Sequence, residues 1–133
     1  MAREKKVVDA SIIVKWFLDE ADSSQARQLL VSHTKGDVSL VVPDFAFLEV
    51  LNVIRYKSAD EAVLHSVHAT LWNHQLHVEK LNHFLLERAA SVALMYNLSL
   101  YDALYVALAH ILRVPLITAD KALRNIPHVL LLS

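Results

Sequence analysis

The chain has 133 residues, 55% hydrophobic and 20% charged, which is enough for one packed domain and short for two. With 13 Lys and Arg against 14 Asp and Glu the net charge is −1, which excludes a charge-driven nucleic-acid coat and a polybasic membrane patch. The absence of Cys excludes disulfides, thiolate zinc sites and cysteine nucleophiles, and one glycine, Gly36, is too few for a phosphate-binding loop or a dinucleotide fingerprint.

In chain order, Met1 to Lys6 is charged and lacks the pattern of a secretory signal. A short strand is expected at Lys6–Val8, ending at Asp9. A first helix starting at Ser11 carries Ile12, Ile13, Trp16 and Phe17, and a second spans Ser23–Val31, with Asp22 and Gln25 spaced as a capping box. Ser39–Val42 reads as a strand stopped by Pro43, and Asp44 can cap a helix running to about Tyr56. Ser58-Ala59-Asp60-Glu61 opens another helix with Val63, Leu64, Val67 and Leu71 at helical spacing. The longest stretch without Asp, Glu, Lys or Arg, Ala62 to Val78, is interrupted by His65, His68, Asn73, His74, Gln75 and His77, so it is not a bilayer span.

A connector is expected at His77–Asn82, then a helix over His83–Tyr96. Ser99 opens a helix to about Leu112 that is apolar on nearly every side and belongs in the interior. Leu116–Thr118 is a strand, Asp120–Asn125 a helical turn and Val129–Leu132 a last strand. Short apolar strands alternating with helices predict an α/β fold, a parallel sheet covered on both faces. A soluble cytoplasmic protein is expected. Its mean hydropathy of +0.35 is high for a soluble monomer and predicts an oligomer or an obligate partner.

Ligands of open parallel sheets bind beyond the carboxyl ends of the strands, where Asp9 and Asp120 stand. Asp102 is the only charged residue between Arg88 and Arg113, and Glu49 lies one turn into its helix beside Asn52 and Tyr56. Each has a local reading: Asp9 as a turn residue, Asp120 as an N-cap, Asp102 as the third residue of a capping box, Glu49 on a solvated face. Together, one acid on each of two strand ends and two near helix starts could converge. Close carboxylates repel unless a cation sits among them, and a hard divalent ion bound through oxygen fits such a set. His65 with His68, and His74 with His77, have i,i+3 spacing open to a transition metal, to packing or to a pH-sensitive interface.

Four segments carry a resemblance: Val8-Asp9-Ala10-Ser11, Glu49-Val50-Leu51-Asn52-Val53-Ile54-Arg55, Tyr101-Asp102-Ala103-Leu104-Tyr105-Val106-Ala107-Leu108-Ala109 and Thr118-Ala119-Asp120. In order and spacing the chain resembles the PIN-domain ribonucleases, especially the VapC-type toxins of prokaryotic toxin–antitoxin pairs, over essentially its whole length as a single domain. The resemblance implies a three-layer α/β/α sandwich and a Mg²⁺- or Mn²⁺-dependent endoribonuclease leaving a 5′-phosphate and a 3′-hydroxyl. It also implies a homodimer inhibited by a cognate, VapB-like antitoxin. Asp9, Glu49, Asp102 and Asp120 match the acidic quartet that holds the metal; Ser11 and Thr118 would be hydroxyls near it, and Asn52 would brace Glu49. Ser11 also reads as an N-cap and Thr118 as an ordinary strand residue. Some family members carry a further acid shortly after the position of Asp120, where this chain has Lys121 and Ala122, leaving one or two metals open.

RNA contacts would come from Lys15, Arg55, Lys121 and Arg124, with Trp16 as a stacking platform; the alternatives are solvated charges and a core indole. Trp16, Phe17, Phe45, Phe47 and Trp72 are candidates to line an antitoxin groove. Competing readings are a catalytically silent PIN-like module acting through protein partners, an adhesion-type metal site, and a haloacid-dehalogenase-type phosphatase. The adhesion-type site would need a serine where Ile13 stands, and the phosphatase a second aspartate where Ser11 stands.

Overall fold

The computed structural model describes residues 3–132. Strands β1 (Glu4–Val8), β2 (Val38–Pro43), β3 (His77–Glu79), β4 (Leu116–Thr118) and β5 (Val129–Leu131) form one sheet in the order β3-β2-β1-β4-β5, every neighbouring pair parallel. Helices α1 (Ala10–Val14), α2 (Ser23–Lys35), α3 (Ala46–Lys57), α4 (Glu61–Asn73), α5 (His83–Tyr96) and α6 (Leu100–Leu112) connect them and cover both faces. Val7, Val8, Leu40, Val41, Val42 and Leu116 are completely buried, as the near-continuous apolar strands of a doubly covered parallel sheet require. Each such side chain contributes about 1.5–3 kcal/mol of burial. The three-layer α/β/α architecture is as expected. The chain steps outward from β1 to β2 and β3, then returns to β4 on the other side of β1, so the strand order reverses there.

α6 is the interior helix: Ala103 through Ala109 are all buried, and it packs on β1, β2 and β4 beneath α5. Its start matches the sequence reading, since the Ser99 hydroxyl accepts from the Asp102 N–H at 3.1 Å. α5 begins and ends where the spacing placed it, with Asn82 accepting from the Leu85 N–H. Among the described residues no single helix is long and apolar enough to cross a membrane, and the α5–α6 pair bends by 111°.

Three local expectations are corrected. Asp44 does not cap α3, whose N-cap is Phe45; the Asp44 carboxylate instead accepts from the Leu81 N–H. Asp22 precedes α2 without a capping bond because its carboxylate is engaged by Lys15 at 2.7 Å. The connector at His77–Asn82 contains the edge strand β3. Its His-Val-Glu sequence lacks an apolar run because half of an edge strand faces water.

β3 begins too late to pair with the start of β2, and a side chain fills the gap. The buried His33 of α2 accepts from the Leu40 N–H through Nδ1 at 3.1 Å. Its Nε2–H then donates to the carbonyls of His74 and Gln75, at 3.0 and 3.2 Å. The imidazole thus joins β2 to the turn between α4 and β3, with its tautomer fixed by an amide that can only donate. Replacing it strands a buried N–H. His33→Ala is expected to destabilise the fold by about 2–3 kcal/mol, measured by urea denaturation.

Candidate functional site

β1 and β4 are adjacent and in register at Val7↔Leu116 and Val8↔Ile117, which sets Asp9 opposite Thr118 at the carboxyl edge of the sheet. The Thr118 hydroxyl donates to Asp9 Oδ2 at 2.5 Å, and the Ser11 hydroxyl donates to Oδ1 at 2.5 Å. Two further amides complete the frame: Ala119 N–H donates to Ser11 Oγ and Asp120 N–H donates to Thr118 Oγ1, each at 3.0 Å. Asp9, only 6% exposed, is therefore held through both oxygens by neutral hydroxyls. Ser11 sits inside α1 and is not its cap; the chain turns into that helix at Asp9.

Glu49 projects from the first turn of α3, where Tyr105 meets it: the phenol donates to Glu49 Oε1 at 2.7 Å. This corrects the expectation for Asn52. No hydrogen bond joins Asn52 to Glu49 among the described residues, and the exposed Asn52 lines a cavity of about 440 Å³ with Phe45, Leu48, Glu49 and Tyr101. Tyr105 was missed because an aromatic residue in an apolar helix reads as core. The available signal was its place three residues after Asp102, on the same helical face. It is almost fully buried, and burial together with the Glu49 carboxylate pushes its own pKa far up, so it remains a donor.

Asp102 is half-buried at the start of α6. Asp120 is exposed and caps the short 3-10 turn Lys121–Leu123, accepting from the Ala122 N–H at 3.0 Å. Burial raises the Asp9 carboxyl above its ordinary range against the pull of Ser11 and Thr118, and the charge of Asp102 adds to the rise. Burial raises Glu49 in the same way, with Tyr105 opposing and Asp102 and Asp9 adding. Asp102 is raised by burial and by Asp120. Asp102 is thus the common neighbour of the other three acids. No Lys or Arg pairs with any of the four among the described residues. An all-oxygen set of mutually repelling, uncompensated carboxylates is chemistry that a hard divalent cation satisfies. As folded, no three His, Asp or Glu side chains are grouped to hold a metal among the described residues, which includes the His65/His68 and His74/His77 pairs.

The candidate RNA contacts divide. Lys15 is corrected: it is 8% exposed, with Nζ 2.8 Å from Glu20 and 2.7 Å from Asp22, an internal clamp after α1. Trp16 is a core indole, its Nε1–H donating to the Ala26 carbonyl at 2.9 Å. It stacks no base and lines no groove. Arg55, Lys121 and Arg124 are exposed and make no ion pair among the described residues. Of the aromatic groove candidates, Phe47 and Trp72 meet at 6.4 Å, while Phe45 packs against Tyr105 at 5.2 Å and Tyr101 at 6.1 Å.

The raised carboxyls fix a sign for pH dependence. Their native-state pKa values exceed the unfolded ones, so the folded chain holds more protons than the unfolded chain, and stability from these groups is lost as pH rises through the raised values. In metal-free protein at pH 7, Asp102→Asn is expected to raise Tm by roughly 2–5 °C. That gain should shrink as pH falls through the raised carboxyl range, where the wild-type carboxyl takes up its proton. Calorimetry across this range checks both, and an equal gain at every pH would contradict the electrostatic account.

The same architecture occurs in solved structures. A toxin–antitoxin complex from Klebsiella pneumoniae matches with a TM-score of 0.72 at 21% identity, covering 94% of this chain and 95% of that one. VapC20 from Mycobacterium tuberculosis, a sarcin-ricin loop cleaving toxin, matches with 0.74 at 16%, covering 93% and 96%. VapBC2 from Rickettsia felis, bound to a DNA fragment from its promoter, matches with 0.72 at 13%, covering 96% of each. At such identities these likenesses concern the fold. No curated protein matches the chain in sequence. The PIN domain family model, however, matches residues 6–129, a stretch that includes all four acids, and on that ground the chain belongs to the PIN-domain family.

Proposed function

We propose that this protein is an endoribonuclease, the toxin of a toxin–antitoxin pair, hydrolysing RNA phosphodiester bonds with Mg²⁺ or Mn²⁺ as cofactor. The observation that carries the reading is the set of acids at the sheet's carboxyl edge, three of them raised by burial and by neighbouring acids and none paired with a basic side chain among the described residues. Asp9, Glu49, Asp102 and Asp120 would hold the cation. Bound there, it would supply a more acidic water and neutralise charge on the phosphodiester. Ser11 and Thr118 act as positioning residues that fix both oxygens of Asp9, and Tyr105 fixes Glu49. Arg55, Lys121 and Arg124 would contact RNA phosphates, and the cavity beside Glu49, flanked by Phe45 and Tyr101, offers a face for an unstacked base.

The neighbours that are toxin–antitoxin assemblies support a VapB-like antitoxin as partner. Apolar surface supports it too: Leu48 is exposed beside Glu49 on α3, and Trp72 is exposed on the adjoining α4. A second exposed stripe on α5, with Leu94 88% exposed beside Met95, supports a homodimer. The proposed RNA substrate supports a cytoplasmic placement.

A PIN-like module that acts only through its partner is the second reading, favoured by the acids standing apart as folded. Cleavage of end-labelled RNA by purified, inhibitor-free protein separates the two. Cutting with Mg²⁺ or Mn²⁺, none with chelator, and a loss of at least about 100-fold in Asp9→Asn are expected. Thr118→Val should fold and lose activity to a smaller degree. A folded wild type that cuts no RNA under these conditions would favour the silent module.

A further inference from the structure

At the opposite edge of the sheet, where β4 and β5 begin, lies a cavity of about 480 Å³ with no role in the chemistry above. About 16 Å of helix separates Asp102 from Arg113 at the other end of α6. Val114, Pro115 and Pro127 give the cavity an apolar floor, and His110, Arg113 and His128 supply its polar groups. No carboxylate lines it, and Arg113 makes no ion pair among the described residues.

Two of those polar residues occupy backbone positions that suit glycine. Arg113 has φ +57° and His128 φ +65°, the left-handed region that side chains with a Cβ adopt at a cost. At Arg113 the fold demands the conformation: the Val114 N–H closes the end of α6 on the Ala109 carbonyl at 3.0 Å, a cap in which glycine is the usual occupant. It does not demand an arginine. The negative end of α6 favours a cation at this position, but it gives no reason for His128, which belongs to the separate segment before β5. Gln75 and Asn97 take the same conformation elsewhere; what sets Arg113 and His128 apart is the cavity that both line.

We propose that this cavity binds a small organic anion: a flat ring on the proline floor, with a phosphate or carboxylate held by Arg113 and flanked by the two imidazoles. The volume lies in the range of small-molecule sites, and an apolar floor with a few convergent polar groups is their usual composition. A guanidinium fork suits either anionic group. The site is independent of the carboxylates at the far edge.

Calorimetric titration with AMP, benzoate, adenosine and inorganic phosphate tests this. AMP or benzoate should saturate one site with Kd below about 1 mM, and whichever binds identifies the anionic group, while adenosine and inorganic phosphate bind at least about tenfold more weakly. Arg113→Gly and His128→Gly should each weaken binding about tenfold or more while Tm holds or rises, because glycine relieves the left-handed backbone. Asp9→Asn should bind as the wild type does. The proposal is overturned if neither anion saturates, if adenosine binds as well as AMP, if Asp9→Asn abolishes binding, or if both glycine variants bind normally. It also fails if both lose Tm, since the side chains would then serve the fold alone.

Discussion

The carboxyl edge of this fold is organised around one buried carboxylate. Asp9 sits where the chain leaves β1 and turns into α1, at the point where the strand order reverses, and both its oxygens accept hydroxyl hydrogen bonds. Ser11 comes from α1 and Thr118 from β4, so three elements are tied at a single side chain. The hydroxyls are in turn fixed by the amides of Ala119 and Asp120. Desolvation of the carboxylate is thereby partly offset without a counter-charge, and its pKa stays raised. A lysine or arginine in place of either hydroxyl would satisfy Asp9 more strongly, but it would cancel the negative potential that makes this edge chemically distinct.

The same logic runs through Glu49 and Tyr105. A buried phenol whose ionisation is suppressed by its surroundings is a donor that does not titrate away, and it orients the carboxylate without neutralising it. The protein does have basic residues to spend, and it spends them elsewhere. Lys15 bridges Glu20 and Asp22, and Arg27 pairs with Asp19. Among the described residues the acids at the strand ends have no Lys or Arg partner, and this is set by the arrangement of the chain, since 13 basic residues are available in the sequence.

The sheet and the helices were legible because they obey simple periodicities: apolar runs at β1, β2 and β4, and helical spacing in α3 to α6. The four acids were legible because strand ends and helix starts are where an α/β fold delivers side chains to one edge. What the sequence did not disclose depends on partners far along the chain. Tyr105 finds Glu49 across 56 positions, and neither residue advertises the other. β3 exists because β2 offers an edge, while its own three residues carry no strand pattern. Lys15 resembles a surface lysine until the loop after α1 folds its two carboxylates onto it. Asn52 shares a helical face with Glu49, yet a hydrogen bond needs an approach that spacing alone does not set.

Near-neutral net charge and an acidic sheet edge are ill suited to RNA, and the difficulty has a thermodynamic form. A phosphodiester approaching the bare carboxylates meets like charge, and the basic residues proposed to contact it, Arg55, Lys121 and Arg124, are few. Cation and RNA therefore cannot bind as independent ligands on the proposed reading. Each must raise the affinity for the other by the same factor, because the free energy of the joint state does not depend on the order of assembly. The elevated carboxyl pKa values, raised first by burial and then by the neighbouring acids, have the proton as the cation: protonation, metal binding and removal of an acid all relieve the negative charge held at this edge. A fold that tolerates this repulsion without metal must hold its acids by neutral donors on rigid elements, and Ser11, Thr118 and Tyr105 are placed to provide that.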